Sequence, residues 1–254
     1  MRVWAVSLNT FKETIRNRVM VNILIFAIGL ILLSLVIGDW SMGQQVKVIK
    51  DFGLSAMSLF GLLIAIFIGI RLMVQEFEQR TIYVIASKPI HRWEILLGKY
   101  LGLGITLAVN VIFMSLALWG ADLFMEGKID FGLAPAILLI YIEILLVVML
   151  ALFFSSFVSP NLSAIFTILV FIIGHLSAFL RDYVQLHPEN SYNWVLKLIY
   201  WVVPNLEMLN IKMAVVEHLE RPPHAVTYGF FYGIGYILIL LVFTVAIFNK
   251  KDFK

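Results

Sequence analysis

The chain of 254 residues contains no cysteine, and Asp, Glu, Lys and Arg together make up only 14% of it. The absence of cysteine excludes disulfide cross-links, thiolate metal sites and cysteine nucleophiles. The shortage of charge argues against a soluble domain, which would carry about 25% charged residues to cover its surface. Hydrophobic residues instead make up 61% of the chain. This combination predicts a membrane protein in which lipid replaces water over much of the surface.

The sequence also lacks the phosphate-binding motif G-x-x-x-x-G-K-[ST], because Gly98-Lys99 is followed by Tyr100. No set of serines, histidines and acids has the spacing of a nucleophilic or proteolytic site, so we expect no catalytic residue and no enzyme activity. We also expect no cofactor in this chain and no nucleic-acid partner. Five histidines and methionines between residues 181 and 227 could suit copper chemically, but their spacing matches no ligand motif, so we expect no metal site. These are His187, Met208, Met213, His218 and His224.

Six apolar stretches are long enough to cross a hydrocarbon core about 30 Å thick, which takes about 20 helical residues. The predicted fold is therefore all-α, a single transmembrane domain over residues 1–254 with six transmembrane helices and the lipid bilayer around it. The predicted spans cover about residues 19–37, 52–70, 100–121, 131–157, 162–180 and 228–248.

Residues 1–18 carry an amphipathic helical pattern ahead of the first span. Trp4, Leu8, Phe11 and Ile15 recur at helical spacing, and basic residues occupy the other faces. This pattern predicts a helix that lies in the plane of the membrane interface. A cleaved signal peptide fits less well, since no small-residue cleavage site follows Ile37.

The distribution of basic residues predicts the orientation of the spans. With both termini in the cytoplasm, twelve of the 19 Lys and Arg residues lie on the cytoplasmic side. The opposite orientation would place only the remaining seven there. The positive-inside rule therefore favours a multi-pass protein of the plasma membrane, in bacteria the inner membrane, with both termini cytoplasmic.

Two connections are too long to be simple turns. The cytoplasmic connection 71–99 is charged, is interrupted at Pro89, and continues in a pattern that predicts a short helix showing Ile, Trp and Leu side chains. It is either a solvated hairpin or a docking element for a cytoplasmic partner. The external connection 181–227 holds two apolar pieces, 194–203 and 206–216, which are too short to span and predict interfacial or re-entrant helices. They could anchor the loop or close the outer mouth of a pathway.

The run from Glu76 to Gly102 reads E-x-E-Q-R-T-I and then S-K-P-I-x-R-x-E-I-L-L-G-K-Y-L-G. It resembles the cytoplasmic loop of permease subunits of ABC transporters of the type 2 export family. More narrowly, it is similar to the branch of multi-copper enzyme maturation permeases. The resemblance extends to the whole chain through the N-terminal amphipathic helix, the six spans and the long loop before the last span.

The resemblance implies a partner set. In that family, two permease subunits pair in the membrane, as a homodimer or heterodimer, and each docks one of two ATP-binding subunits that carry ATP and magnesium. The loop between spans two and three makes the docking contact, the N-terminal helix leans on the same ATPase, and the external helices shape the exit. The implied docking residues are Glu76, Arg80, Thr81, Pro89, Arg92 and Lys99.

Glu143 is the one Asp, Glu, Lys or Arg well inside a predicted span, and an ionised carboxylate there costs several kcal/mol unless it finds a partner or a proton. His175 and Asn110 are the candidate partners. Glu143 either takes part in transport or joins helices. The sequence therefore supports three hypotheses: the membrane subunit of an ATP-driven exporter, an ion-coupled secondary transporter that uses Glu143, or a non-transporting scaffold.

Overall fold

The computed structural model describes residues 2–41, 43–78, 92–187, 189, 192–219 and 224–250. Over these ranges the chain is helical and contains no β-strand, which confirms the all-α prediction. Two 3₁₀ turns, Phe131–Leu133 and Leu206–Leu209, accompany the α-helices. The α-helices are α1 (Arg2–Ile15), α2 (Arg18–Asp39), α3 (Gln45–Glu78), α4 (Arg92–Glu126), α5 (Ala134–Ser155), α6 (Pro160–His175), α7 (Ser177–Leu186), α8 (Asn193–Val202), α9 (Lys212–Val216) and α10 (Ala225–Lys250).

In the described ranges, five segments are long and apolar enough to span a membrane, and α6 with α7 forms a bent sixth candidate. The predicted multi-pass architecture is thereby confirmed. The second segment starts earlier than the sequence suggested, at Gln45, because the charged Lys50 finds carboxylate partners inside the bundle. The five straight segments are Arg18–Gly38, Gln45–Leu72, Trp93–Glu126, Phe131–Ser155 and Ala225–Ile247.

The bend between α6 and α7 measures 55° and falls at Leu176. The sequence predicted one straight span over 162–180 at this place. The chain turns there because a neighbouring segment occupies the space ahead of α6: a Cβ on Gly174 would lie 2.7 Å from the Pro204 carbonyl oxygen. The Ser177 hydroxyl then donates a hydrogen bond to the Asn205 side chain and holds the new direction.

The spans alternate in direction, so their ends form two distinct groups. We call the first the α1 end: it contains α1, the end of α3, the start of α4 and the turn from α5 to α6. We call the second the short-helix end: it contains the turn from α2 to α3, the connection from α4 to α5, and helices α7 to α9.

Helix α5 forms the centre of the bundle. It is apolar on all sides, as expected of a helix that neighbours surround, and 15 of its 22 residues are buried. It packs against α3, α4, α6 and α10, and Gly61 of α3 lets the two backbones approach until Ile144 fills the space of a missing side chain. By contrast, only 22% of the apolar window of α2 and of α10 is buried. These two helices offer their surfaces to lipid or to another subunit.

Helix α4 corrects one prediction. The sequence suggested a separate short helix after Pro89 with an exposed apolar face, but α4 runs without a break from Arg92 to Glu126. No helix-breaking residue separates the two parts, and α1 packs against the first turns of α4. Leu96 is therefore only 2% exposed, while Trp93 remains 43% exposed.

The two predicted apolar pieces of the external connection are also revised. The first forms α8, with Trp194 and Trp201 exposed as expected at a membrane interface. The second is a 3₁₀ turn followed by the short helix α9, because Asn205 caps the turn at its start and Asn210 ends it. Leu206, Leu209, Val215 and Val216 are buried, so this piece packs into the bundle instead of lying on it.

Candidate functional site

The candidate site lies at the α1 end, where α1 packs against the start of α4. Two small polar residues of α1 lie in the contact: Ser7 and Thr10 are at most 3% exposed. On the other side of the contact, α4 carries Gly98 and Gly102, one helical turn apart. A Cβ on Gly102 would lie 2.5 Å from the Ser7 carbonyl oxygen and 2.7 Å from the Thr10 Cβ atom. The absence of side chains at both glycines is therefore what allows the contact, as in small-residue interfaces between membrane helices.

The apolar stripe of α1 points elsewhere. Trp4 is 58% exposed and Leu8 39%, and both lie on a face roughly a quarter turn away from the face that contacts α4. Lys12 and Glu13 occupy a third, exposed face. One face thus packs on protein, one suits the acyl chains of the bilayer, and one suits water. This arrangement matches an interfacial helix.

Lys99 connects the two long helices at this end. Its ammonium group donates a hydrogen bond to the Leu72 carbonyl oxygen at 3.0 Å, and the residue is only 8% exposed. The resemblance implies that Lys99 contributes to docking, and this role stays a prediction. Within the chain, its hydrogen bond joins α3 to α4 on either side of residues 79–91.

The other docking residues fall at or beyond the edges of the described ranges. Arg80, Thr81 and Pro89 lie outside the described residues. Glu76 lies on α3 and Arg92 begins α4, but their side chains are not among those described. The docking role of these five residues stays a prediction.

Of the polar residues predicted inside the spans, the structure brings two together. The Nε2 atom of His175 lies 3.3 Å from the Glu143 Oε1 atom, and the Glu143 side chain is 2% exposed. The pair joins the centre of α5 to the last residue of α6, at the bend. Asn110 lies elsewhere: its amide donates to the Thr106 carbonyl oxygen at 2.8 Å and faces Met20 of α2.

A buried ionic cluster occupies the short-helix end. The Lys50 ammonium group lies 3.0 Å from Asp130, 3.4 Å from Asp122 and 3.7 Å from Glu126. The side chains of Lys50 and Asp122 are 5% and 0% exposed. The other Asp122 oxygen accepts a hydrogen bond from the Asp130 backbone N–H at 2.9 Å. The cluster therefore joins α3, α4 and the connection that leads into α5.

Asp130 keeps its charge in acid because of this cluster. Burial alone would raise the pKa of Asp130, but hydrogen bonds from Lys50 and from the Gly132 N–H, with the Lys50 charge, outweigh burial and lower the pKa below its ordinary value of 3.8. A lowered carboxyl pKa means that the stabilisation is present above about pH 4 and is lost as the pH falls through the pKa of the folded state.

A family model described as ABC-2 family transporter protein matches residues 4–253. The chain belongs to the ABC-2 transporter family. It is a membrane permease component of an ABC transporter, a class that in general works with an ATP-binding subunit. The narrower similarity to multi-copper enzyme maturation permeases stays a prediction. A search of the curated proteins found no match to the chain.

Sequence reasoning on this permease missed two features. The first is the pair Gly98 and Gly102, although the spacing G-x-x-x-G is visible in the sequence and is typical of close helix contacts in membranes. The second is the Lys50 cluster, which no local pattern indicates because its members are up to 80 residues apart. Within the described ranges, no group of three or more His, Asp or Glu side chains is arranged to hold a metal ion.

We expect Glu143 and His175 of the permease to be energetically coupled, and Glu143 and Asn110 not to be. Replacing Glu143→Gln and His175→Leu, singly and together, should give a coupling free energy of about 1 kcal/mol, the usual size for polar pairs between membrane helices. The measurement is thermal unfolding of the purified variants in one detergent. The matched control is the double-mutant cycle of Glu143→Gln and Asn110→Leu, in which we expect the two changes in stability to be additive. If the effects of Glu143→Gln and His175→Leu on the free energy of unfolding were additive, the contact between the two side chains would contribute no stability.

Proposed function

We propose that this permease is the membrane subunit of an ATP-driven exporter, and that ATP-binding subunits dock at its α1 end. The observation that supports the proposal is the construction of that end: Lys99 joins α3 to α4, and α4 is packed against α1 through Gly98 and Gly102. A force applied to residues 79–91 therefore reaches three helices at once. Such a rigid connection suits the transfer of motion from a soluble motor to the membrane spans.

Helix length is consistent with this role. Helix α3 has 34 residues and α4 has 35, so each is about 50 Å long, well beyond the roughly 30 Å of hydrocarbon. The candidate span in α3 ends at Leu72, whereas the helix continues to Glu78. The end of α3 that leads into residues 79–91 thus extends beyond its candidate span, where a soluble partner can reach it.

The proposed cycle begins with closure of two ATP-binding subunits, which moves the α1 ends of a permease pair. Helices α3 and α4 carry the movement across the bilayer, and the segment 203–216 at the short-helix end is displaced. That segment is held by its buried side chains, Leu206, Leu209, Val215 and Val216, and by hydrogen bonds such as the one from the Asn205 N–H to the Tyr232 hydroxyl at 2.7 Å. Both termini and the α1 end face the cytoplasm in this proposal, in agreement with the distribution of basic residues.

We expect charge reversal beside residues 79–91 to separate the permease from its ATPase. The variant Arg80→Glu with Arg92→Glu should lower the recovery of a nucleotide-binding chain in a mild-detergent pull-down about tenfold, because like charges across an interface cost several kcal/mol. Mass spectrometry identifies the chain, and an ATPase assay on the complex checks its activity.

The matched control is Lys128→Glu with Arg181→Glu, two basic residues at the short-helix end that are exposed. This control should retain the ATPase in full. Recovery of the permease alone from wild-type membranes, with no ATPase activity, would favour the ion-coupled secondary transporter that uses Glu143 and remove the proposed docking role.

A further inference from the structure

A cavity of about 370 Å³ lies at the α1 end, between the last turn of α1, the first turn of α2 and the facing part of α3. One wall is polar and the other is aliphatic, contributed by α2 and α3. The described polar lining consists of Glu13, Thr14, Asn17, Arg18 and Arg71. The cavity lies apart from residues 79–91 in the chain and plays no part in the proposed docking contact.

Two arginines line this cavity. Arg18 begins α2 and Arg71 lies on α3, and both side chains are exposed. In the part of the chain that the structure describes, neither makes an ion pair or a side-chain hydrogen bond. Two unpaired cations at one cavity repel each other, and their juxtaposition is favourable only when an anion lies between them.

Two further features point to the same kind of ligand. Thr14 is 2% exposed and lines the cavity, yet its hydroxyl has no hydrogen-bond partner. Such a buried hydroxyl is unfavourable unless a ligand or water satisfies it. In addition, the positive end of the 22-residue helix α2 opens at the cavity, where the Asn17 side chain accepts a hydrogen bond from the Val19 N–H at 2.9 Å.

We propose that this cavity binds a phosphate group, with Arg18 and Arg71 as the binding cations. Guanidinium groups form paired, charge-assisted hydrogen bonds with phosphate oxygens, and the helix terminus favours the same charge. Glu13 is the single carboxylate among the described lining residues, so the site keeps a net charge of +1 for the anion. The aliphatic wall and the neighbouring interfacial helix α1 suit a phosphate that is attached to acyl chains, as in an anionic phospholipid headgroup.

The test is native mass spectrometry of the purified permease titrated with phosphatidylglycerol, with phosphatidylcholine as the zwitterionic comparison. The wild-type chain should retain phosphatidylglycerol preferentially. Arg18→Gln and Arg71→Gln should each weaken its binding roughly tenfold, the loss expected for one charge-assisted hydrogen bond. Glu13→Gln should instead tighten binding, because it removes the opposing charge.

Matched controls are Lys12→Gln on the exposed face of α1 and Arg181→Gln at the short-helix end, which should leave the affinity unchanged. Tighter phosphatidylglycerol binding by Glu13→Gln cannot arise from misfolding. This variant therefore still tests the proposal if an arginine variant is unstable. A second arm adds inorganic phosphate: competition at equal strength would assign the site to a soluble phosphate compound, and failure to compete would assign it to lipid. Unchanged phosphatidylglycerol binding in Arg18→Gln, Arg71→Gln and Glu13→Gln would overturn the proposal.

Discussion

Replacing Lys50→Met is expected to destabilise the permease strongly, because it removes the cation at the centre of the buried cluster. The substitution leaves Asp122 buried without its partner, and removal of one member of a buried ion pair costs about 3–5 kcal/mol. The Asp122 carboxylate has no access to water, because the side chain is 0% exposed. The expected result is a fall of roughly 10 °C in the midpoint of thermal unfolding in detergent.

The chain provides a close control for this experiment. Lys47 lies on the same helix, one turn earlier, but is exposed, so Lys47→Met should shift the midpoint by no more than about 1 °C. The double variant Lys50→Met with Asp122→Asn should recover most of the loss, since an amide oxygen can still accept the Asp130 N–H. Equal effects of the two lysine substitutions would contradict the assigned role of the cluster.

Replacing Gly102→Leu should detach α1 from α4 and abolish the coupling to the ATPase. Even a Cβ atom at this position would meet the Ser7 carbonyl oxygen and Thr10, and a backbone atom cannot move aside as a flexible side chain can. The strain of about 1–3 kcal/mol should be relieved by displacement of α1. Trypsin should then cleave at the exposed Lys12 faster than in the wild type, and ATPase recovery in the pull-down should fall about tenfold.

Gly120 is the matched control because it lies on the same helix with no atom within 4 Å of the position of a Cβ. The variant Gly120→Leu should fold, resist trypsin and retain the ATPase as the wild type does. If Gly102→Leu also retained both properties, α1 would stay docked in spite of the larger side chain, and the assigned role of Gly102 in the contact would be wrong.

The sequence was a sufficient guide to the fold but only a partial guide to the site. The apolar stretches predicted the spans because the thickness of the bilayer fixes the length of a crossing helix. They did not predict that the span 162–180 bends by 55°, because the cause lies in a contact between Gly174 and Pro204, which are distant in the chain. The separate helix after Pro89 was wrong for a related reason: α1 packs against the first turns of α4, which continue unbroken into the span.

For the polar residues too, the sequence predicted part of the arrangement and the tertiary structure decided the rest. The sequence alone determined that Glu143 needs a partner, since a carboxylate in hydrocarbon cannot remain alone, and it named His175 and Asn110 as candidates. Only the tertiary structure decided between them, by placing His175 within 3.3 Å. From the sequence, Lys50 is expected to be a solvated cation in a loop. The structure instead places it at the centre of a buried cluster.

What the sequence by itself determined is the class of the protein: an all-α chain with apolar spans, no nucleotide-binding motif and a loop that resembles those of type 2 export permeases. These properties depend on composition and local spacing. The tertiary structure decided which helix faces meet, as between Gly102 and α1, and which charges pair, as at Lys50. Those outcomes depend on the close approach of segments far apart in the chain, and within a bilayer every span is apolar enough that hydrophobicity does not select one neighbour over another.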